Sequence, residues 1–345
     1  MKAQCSNPLT STPLLSLSTQ TWLRPFSKLT CLATFFLIFA GGLVTSTGSG
    51  LAVPDWPLSY GMVFPPMVGG VFYEHGHRMV ATVVGVLMLC LAIALWRMET
   101  RRWVRNLVFV ALGAVVVQGL LRGLTVKLFL PPPVSVAHGI LAQTFFLMTI
   151  VLAYSLSAER ENRQHENAAG NPAFLNLNLL LIFCIYLQLL FGATMRHTAS
   201  GLAVPDFPTM GGEWWPQFDS TMLQRINARR FDMNLDPVSM RQVVFHVLHR
   251  AGAVLVFGVL LVVNWTGLKS RAVTSKVKAT LWMLNAVVAL QILLGIFTVL
   301  TDKEPYLTSV HVVLGAGVLG LTVLMFVRAA PLSWKALKNL IVRFA

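Results

Sequence analysis

A chain of 345 residues with 55% in the hydrophobic set and only 12% charged falls far short of the roughly 25% charged residues of a soluble domain. That balance excludes an ordinary soluble enzyme. The net charge of +14 does not make it a nucleic-acid binder, because the basic residues are distributed as membrane orientation requires.

Residues 1–28 contain no acidic side chain and are rich in Ser and Thr, a faint likeness to a transit peptide. With only three basic residues, Lys2, Arg24 and Lys28, they read more simply as the cytoplasmic tail of a bacterial protein. Apolar stretches long enough to cross about 30 Å of hydrocarbon then follow at 29–48, 74–96, 106–126 and 134–156. A polar linker at 157–173 leads to a second set at 174–195, 242–265, 279–300 and 306–327, and 328–345 form a cytoplasmic tail. Both termini are expected inside, since seventeen of the 27 basic residues then fall in inner segments and the short outer connections keep only Lys127 and Lys303. Cys5, Cys31, Cys90 and Cys184 all lie outside the outer loops, so no disulfide is expected.

The chain repeats itself. Ser49-Gly-Leu-Ala-Val-Pro-Asp55-Trp-Pro57 returns as Ser200-Gly-Leu-Ala-Val-Pro-Asp206-Phe-Pro208, an offset of 151. His77-Arg78 then matches His249-Arg250 at offset 172, and Gln118, Thr125 and His138 match Gln291, Thr298 and His311 at offset 173. The change of offset places about twenty additional residues in the second long loop, 196–241, around Gly211-Gly-Glu-Trp-Trp-Pro216. Four spans per half send both halves through the membrane in the same sense. The expectation is an all-α protein of two parallel-repeat four-helix bundles, 29–156 and 174–327, related by a pseudo-twofold axis along the membrane normal.

Each half presents two histidines at similar depth on two helices, His77 with His138 and His249 with His311. Ionisable groups within a span are costly and mark functional sites. A bis-histidine haem suits a pair, because iron takes one axial imidazole on each face, whereas zinc or copper would want three or four ligands. Arg78 and Arg250 directly follow two of the histidines, where they could meet haem propionates or snorkel to water. Asp55 and Asp206, set between prolines, read as turn residues of a lid. His165 sits in a polar inner loop, and His75, His197 and His246 have no matched partner. The halves also differ: Glu74 aligns with His246 and Arg122 with Gly295, so the first half alone carries an acid and an additional base beside its histidines. Glu74, one turn from His77, is a candidate for proton exchange or for an ion pair with an arginine.

Glu74-x-x-His77-Arg78, the repeated Gly-Leu-Ala-Val-Pro-Asp loops, His138, His249-Arg250 and His311 together resemble the haem A synthase family over all eight spans. The resemblance implies a membrane oxidoreductase that converts a methyl group of haem O, through an alcohol and a hydrate that loses water, into the formyl group of haem A for cytochrome oxidase. It implies His77 and His138 as ligands of the substrate haem O, His249 and His311 as ligands of a resident haem b that passes electrons, and Glu74 as the functional acid. Arg78, Arg250 and Arg122 are then candidate propionate partners. Cysteine pairs in the outer loops of some relatives have no counterpart here. Expected partners are haem O from a haem O synthase, cytochrome oxidase assembly factors and membrane lipid, without nucleic acid; a homo-oligomer is compatible with the sequence. The expected location is the bacterial inner membrane, ahead of the mitochondrial one. The alternatives are a dihaem electron-transfer cytochrome, against which the Glu74/His246 difference speaks, and a transporter, for which no broken helix is evident.

Overall fold

A computed structural model of the chain describes residues 21–163 and 171–330. Most of the N-terminal tail, part of the linker and the C-terminal tail, together with Cys5 and His165, lie outside the described residues. The described residues are all helical apart from loops and two isolated bridges. Eight helices are long and apolar enough to cross a membrane: α1 (Leu23–Ser46), α2 (Gly70–Met98), α3 (Arg102–Lys127), α4 (Pro132–Ser155), α6 (Pro172–His197), α8 (Met240–Lys269), α9 (Ser275–Leu300) and α10 (Pro305–Ala329). This is a multi-pass membrane protein. Two short helices complete the set, α5 (Ala158–Asn162) in the linker and α7 (Ser220–Asp232) in the second long loop.

Local chemistry explains the helix ends. Prolines occupy the first turns of α4, α6 and α10, where no amide partner is lost. Asp219 caps α7, Glu304 caps α10, and Ser239 with Gln242 forms a reciprocal capping box on α8. The first helix begins at Leu23, six residues before the apolar span, because helical hydrogen bonding continues beyond the stretch that hydropathy marks.

Helix pairings follow the duplication. In the first half α1 packs on α2, α2 on α3, α3 on α4 and α4 on α1; in the second, α6, α8, α9 and α10 close in the same order. The halves meet where α1 touches α10, α4 touches α10, and α4 touches α6. This set of pairings is unchanged when the halves are exchanged. The turns repeat as well: Phe129 and Leu130 have positive φ, as do Asp302 and Lys303 at offset 173.

Large apolar side chains fill one end of each bundle. In the first half Val84, Met88, Leu91 and Leu95 of α2 interlock with Val104, Val108 and Leu152. Phe174, Leu181, Leu260, Val263, Leu281 and Leu284 do the same in the second. The end that bears the two repeated loops is built differently. There histidine and glutamine stand beside glycine, whose missing side chains let the imidazoles pack directly against the neighbouring helix backbone.

Small residues bring the halves together. A Cβ on Gly42 of α1 would lie 3.3 Å from Ser309 of α10, and one on Gly320 of α10 would lie 2.6 Å from Ile150 and 2.9 Å from the Phe146 ring of α4. Close backbone approach of this kind is the usual basis of helix association in lipid. Gly320→Val should therefore push α10 off α4 and destabilise the protein by about 1–3 kcal/mol, read as a lower midpoint of thermal unfolding in detergent. An unchanged midpoint would show that the contact yields without cost.

Candidate functional site

In each half one arginine beside a matched histidine, Arg78 on α2 and Arg250 on α8, fastens the repeated loop to that histidine's helix. Arg78 donates to the carbonyls of Asp55 (2.9 Å), Leu58 (2.7 Å) and, more weakly, Val53 (3.4 Å). Arg250 donates to the offset-151 equivalents, Asp206 (2.8 Å), Thr209 (3.1 Å) and Val204 (2.9 Å). The guanidinium fork, with five donors in fixed geometry, thus ties the loop to the residue next to His77 or His249. Arg78 and Arg250, read from the sequence as candidate propionate partners, direct these donors to backbone carbonyls.

The loops are closed internally by their aspartates. Asp55 accepts from the amides of Tyr60 (2.7 Å) and Gly61 (2.8 Å), and Asp206 from those of Gly211 (3.0 Å) and Gly212 (2.9 Å) and from the Thr209 hydroxyl (2.6 Å). The Gly61 and Tyr60 amides hold the Asp55 carboxyl below its usual range. Burial pushes the Asp206 carboxyl up, but its hydrogen bonds from Thr209, Gly212 and Gly211 outweigh this and hold it low. Both loops contain a cis peptide bond at the matched position, Trp56-Pro57 and Phe207-Pro208.

Beneath the loops the two halves part company. The amide of Val53 donates to Glu74 Oε2 (2.9 Å), and that of Val204, its equivalent, donates to His246 Nδ1 (3.3 Å). One backbone group therefore meets a carboxylate in the first half and an imidazole in the second. Glu74 is fully buried, and its Oε1 accepts from Arg78 (2.9 Å) and Arg122 (2.6 Å). Arg122 also reaches the carbonyl of Gly50 (3.3 Å). His246 is thus the counterpart of Glu74, while His75 is held by the Ser59 hydroxyl (2.8 Å).

The four matched histidines come together in pairs. His77 lies within electrostatic reach of His138, and His249 of His311. Nδ1 of His77, His138 and His311 is buried without a hydrogen-bond partner among the described residues. Glycines face the rings: a Cβ on Gly41 would lie 3.1 Å from His77 Nε2, and one on Gly192, its equivalent at offset 151, 3.0 Å from His249 Cε1. Gly295 stands in the same relation to His311 (3.0 Å). Gln118 donates to the His138 carbonyl (3.0 Å), and Gln188 to the His249 carbonyl (2.8 Å) with its amide nitrogen 3.1 Å from that ring's Nδ1. Among the described residues no three His, Cys, Asp or Glu side chains gather as a metal-ion site. In each half two imidazoles on two helices stand beside glycine, and three of the four have a buried Nδ1 without a partner among the described residues, a donor set that could hold a haem iron.

Some of these residues escape a sequence reading. Gly41 and Gly192 carry a visible signal, the loop's own offset of 151. Gln188 aligns with Leu37 and Arg196 with Thr45, so a search for matched residues passes over both.

Comparison with known proteins bears on most of the chain. Residues 67–323 match the family model described as "Cytochrome oxidase assembly protein". Relatives named "Heme A synthase" include one from Halalkalibacterium halodurans, 28% identical over 84% of this chain and 91% of its own length. Another, from Shouchella clausii, is 30% identical over 71% of this chain and 76% of its own, and one from Listeria monocytogenes is 24% identical over 84% and 90%.

The lowered Asp206 carboxyl has a consequence for the loop. A carboxylate whose folded pKa is depressed contributes stability that is present above its unfolded value, 3.8, and is lost as pH falls through the folded one. Hydrogen exchange should therefore show the Gly211 and Gly212 amides losing protection, relative to intrinsic rates, as pH is lowered from about 5 to about 2. Asp206→Asn should already show weakened protection at neutral pH. Constant protection across that window would mean that the aspartate does not hold the turn.

Proposed function

The chain belongs to the haem A synthase family of cytochrome oxidase assembly proteins, and from that premise we propose that it oxidises a methyl group of haem O to the formyl group of haem A. The observation that carries this reading is the asymmetry beneath matched histidine pairs. The same loop amide meets Glu74, gripped by two arginines, in one half and neutral His246 in the other. A protein that only relayed electrons between two equivalent haems would have no use for a buried acid in one half.

On this reading His77 and His138 hold the substrate haem O, and 29–156 is the reactive half. His249 and His311, in 174–327, hold a resident haem b. When bound, haem b supplies a one-electron relay for the oxidation. Methyl and water together become aldehyde with release of four electrons and four protons in two stages, from methyl to alcohol and from alcohol to a hydrate that loses water, and a one-electron acceptor outside the chain would take the electrons. Glu74 stands one helical turn from His77. Fixed by Arg78 and Arg122, its carboxyl group is placed to take up a proton released at the methyl or to stabilise positive charge developing there. The repeated loops, held down by Arg78 and Arg250, cover the histidine end and restrict water.

The same reading treats the halves as parallel repeats about an axis along the membrane normal. It places both termini on the cytoplasmic side of a bacterial cell membrane. Haem O would come from a haem O synthase, and haem A would pass to the assembly of cytochrome oxidase.

Coexpression with a haem O producer, followed by extraction and mass analysis of the haems, tests the reaction directly; unmodified haem alone would favour a dihaem cytochrome. His249→Ala and His311→Ala should each abolish the low-spin spectrum of the resident haem, because the iron loses an axial imidazole. His77→Ala and His138→Ala should keep that spectrum and stop product formation. A normal spectrum in both members of the first pair would overturn the assignment of haem b.

Glu74→Gln preserves size and one acceptor oxygen while removing the charge. We expect it to retain haem b and to accumulate haem O or the alcohol, with turnover lowered by about 10²-fold or more. Near-normal haem A would reduce Glu74 to a partner of its two arginines, and loss of haem b would make it a structural residue of the whole protein.

A further inference from the structure

One cation near the second histidine pair has no acid to answer it. Arg196, in the last turn of α6, donates to the Gly42 carbonyl and to Ser46 Oγ (2.8 Å) of α1. Ser46 in turn accepts from Ser309 (3.0 Å), two residues before His311. Arg196 lies within electrostatic reach of His311 and of Lys303. Among the described residues no carboxylate forms an ion pair with it.

The comparison between halves sharpens this. Arg196 aligns with Thr45. Lys303 aligns with Leu130, and both pack against the matched glycine: Leu130 lies 3.0 Å from a Cβ on Gly50, and Lys303 3.1 Å from one on Gly201. The second half has thus gained two positive charges where the first has neutral side chains. Nearby Glu304 is engaged in capping Tyr306 and Leu307 of its own helix. The first half adds Arg122 and balances it internally with Glu74. Arg250, the other cation near His249, is committed to loop carbonyls. A guanidinium between α6 and α1, with only neutral hydrogen-bond partners among the described residues, carries a charge that an anion would stabilise.

We propose that Arg196, backed by Lys303 at the rim, anchors a carboxylate of the tetrapyrrole held between His249 and His311. The inference rests on the resident-haem reading above and adds to it the residues that orient the ring by its acid groups. The plainer role for Arg196 is a staple between α6 and α1, favoured at a helix C-terminus by the helix dipole. The two roles differ in what they do to the haem.

The test uses the purified holoprotein with its own haem and measures transfer of that haem to apomyoglobin together with the midpoint potential. Arg196→Gln should lose haem at least tenfold faster. Removing a positive charge beside the ring also disfavours the ferrous state; a tenfold change in that preference lowers the potential by about 59 mV. Lys303→Gln should shift both readings in the same direction by less. Ser46→Ala removes the side-chain contact of the staple, leaves the one to the Gly42 carbonyl, keeps the charge, and should change neither. If Arg196→Gln does not accumulate as folded protein, Arg196→Lys replaces it, with the potential preserved and haem loss accelerated because the fork is gone. Wild-type values for Arg196→Gln, or for Arg196→Lys where it stands in, would overturn the proposal, and so would a Ser46→Ala variant that reproduces the arginine's effect. Failure of the underlying haem assignment is seen separately, as a normal spectrum in His249→Ala and His311→Ala.

Discussion

A guanidinium fork gripping backbone carbonyls is the constraint on which both sites depend. Residues 53–59 and 204–210 contain no helix and no strand, so their carbonyls have no regular backbone partners and need other donors. Arg78 and Arg250 supply those donors from the residue next to a histidine. Loop position and imidazole position are thereby linked through a single peptide unit. Internal closure of each loop by Asp55 or Asp206 gives the arginine a defined shape to grip.

On this shared frame the halves carry different chemistry. The first concentrates charge: an acid and two bases in contact, with the acid completely buried. Such a cluster is held together by removal from water as much as by attraction, since a missing member leaves an uncompensated charge in a poor solvent. The second site has no carboxylate under its loop amide: His246 receives that amide and Gln188 approaches His249, while Arg250 is engaged by loop carbonyls and Arg196 and Lys303 carry further positive charge. On the proposed reading, a reacting first half and a haem-holding second half would be served by these different surroundings. A reacting centre gains from a fixed charge close by, whereas a permanent guest gains from being gripped at its polar edge.

Much of this was legible in the sequence, and what was not has physical reasons. Eight spans stand out because lipid demands long apolar helices, and the duplication is plain because the loop segment must preserve its turns. Helix α7 was not legible: its residues are mostly polar, and its buried side chains, Met222, Ile226 and Arg230, are too few to give an apolar period. Glu74 stood out as the residue that breaks the repeat, and the arginine partnership was one of its two readings. The role of Arg78 and Arg250 was harder to see, because their acceptors are main-chain carbonyls, which carry no mark in a sequence. His246 looked isolated only because its counterpart is a different residue type. Arg196 and Gln188 were passed over for the same reason, since matching finds what two copies share and these two are what one copy acquired.

The loop fastenings also bear on how such a protein can change over time. Arginine, the carbonyls it holds and the aspartate that shapes the turn all belong to one half, and each half has its own set. A duplication event therefore copies the scaffold complete, with nothing borrowed from the neighbouring copy. Selection can then act on one copy's interior while the other continues to serve. Positions 74, 122, 188, 196 and 303 are among those at which the halves differ, and none of them is a member of the arginine-and-aspartate fastening common to both. The shared frame and its differing contents are thus separable, which is what the proposed division between a reacting half and a haem-holding half would require.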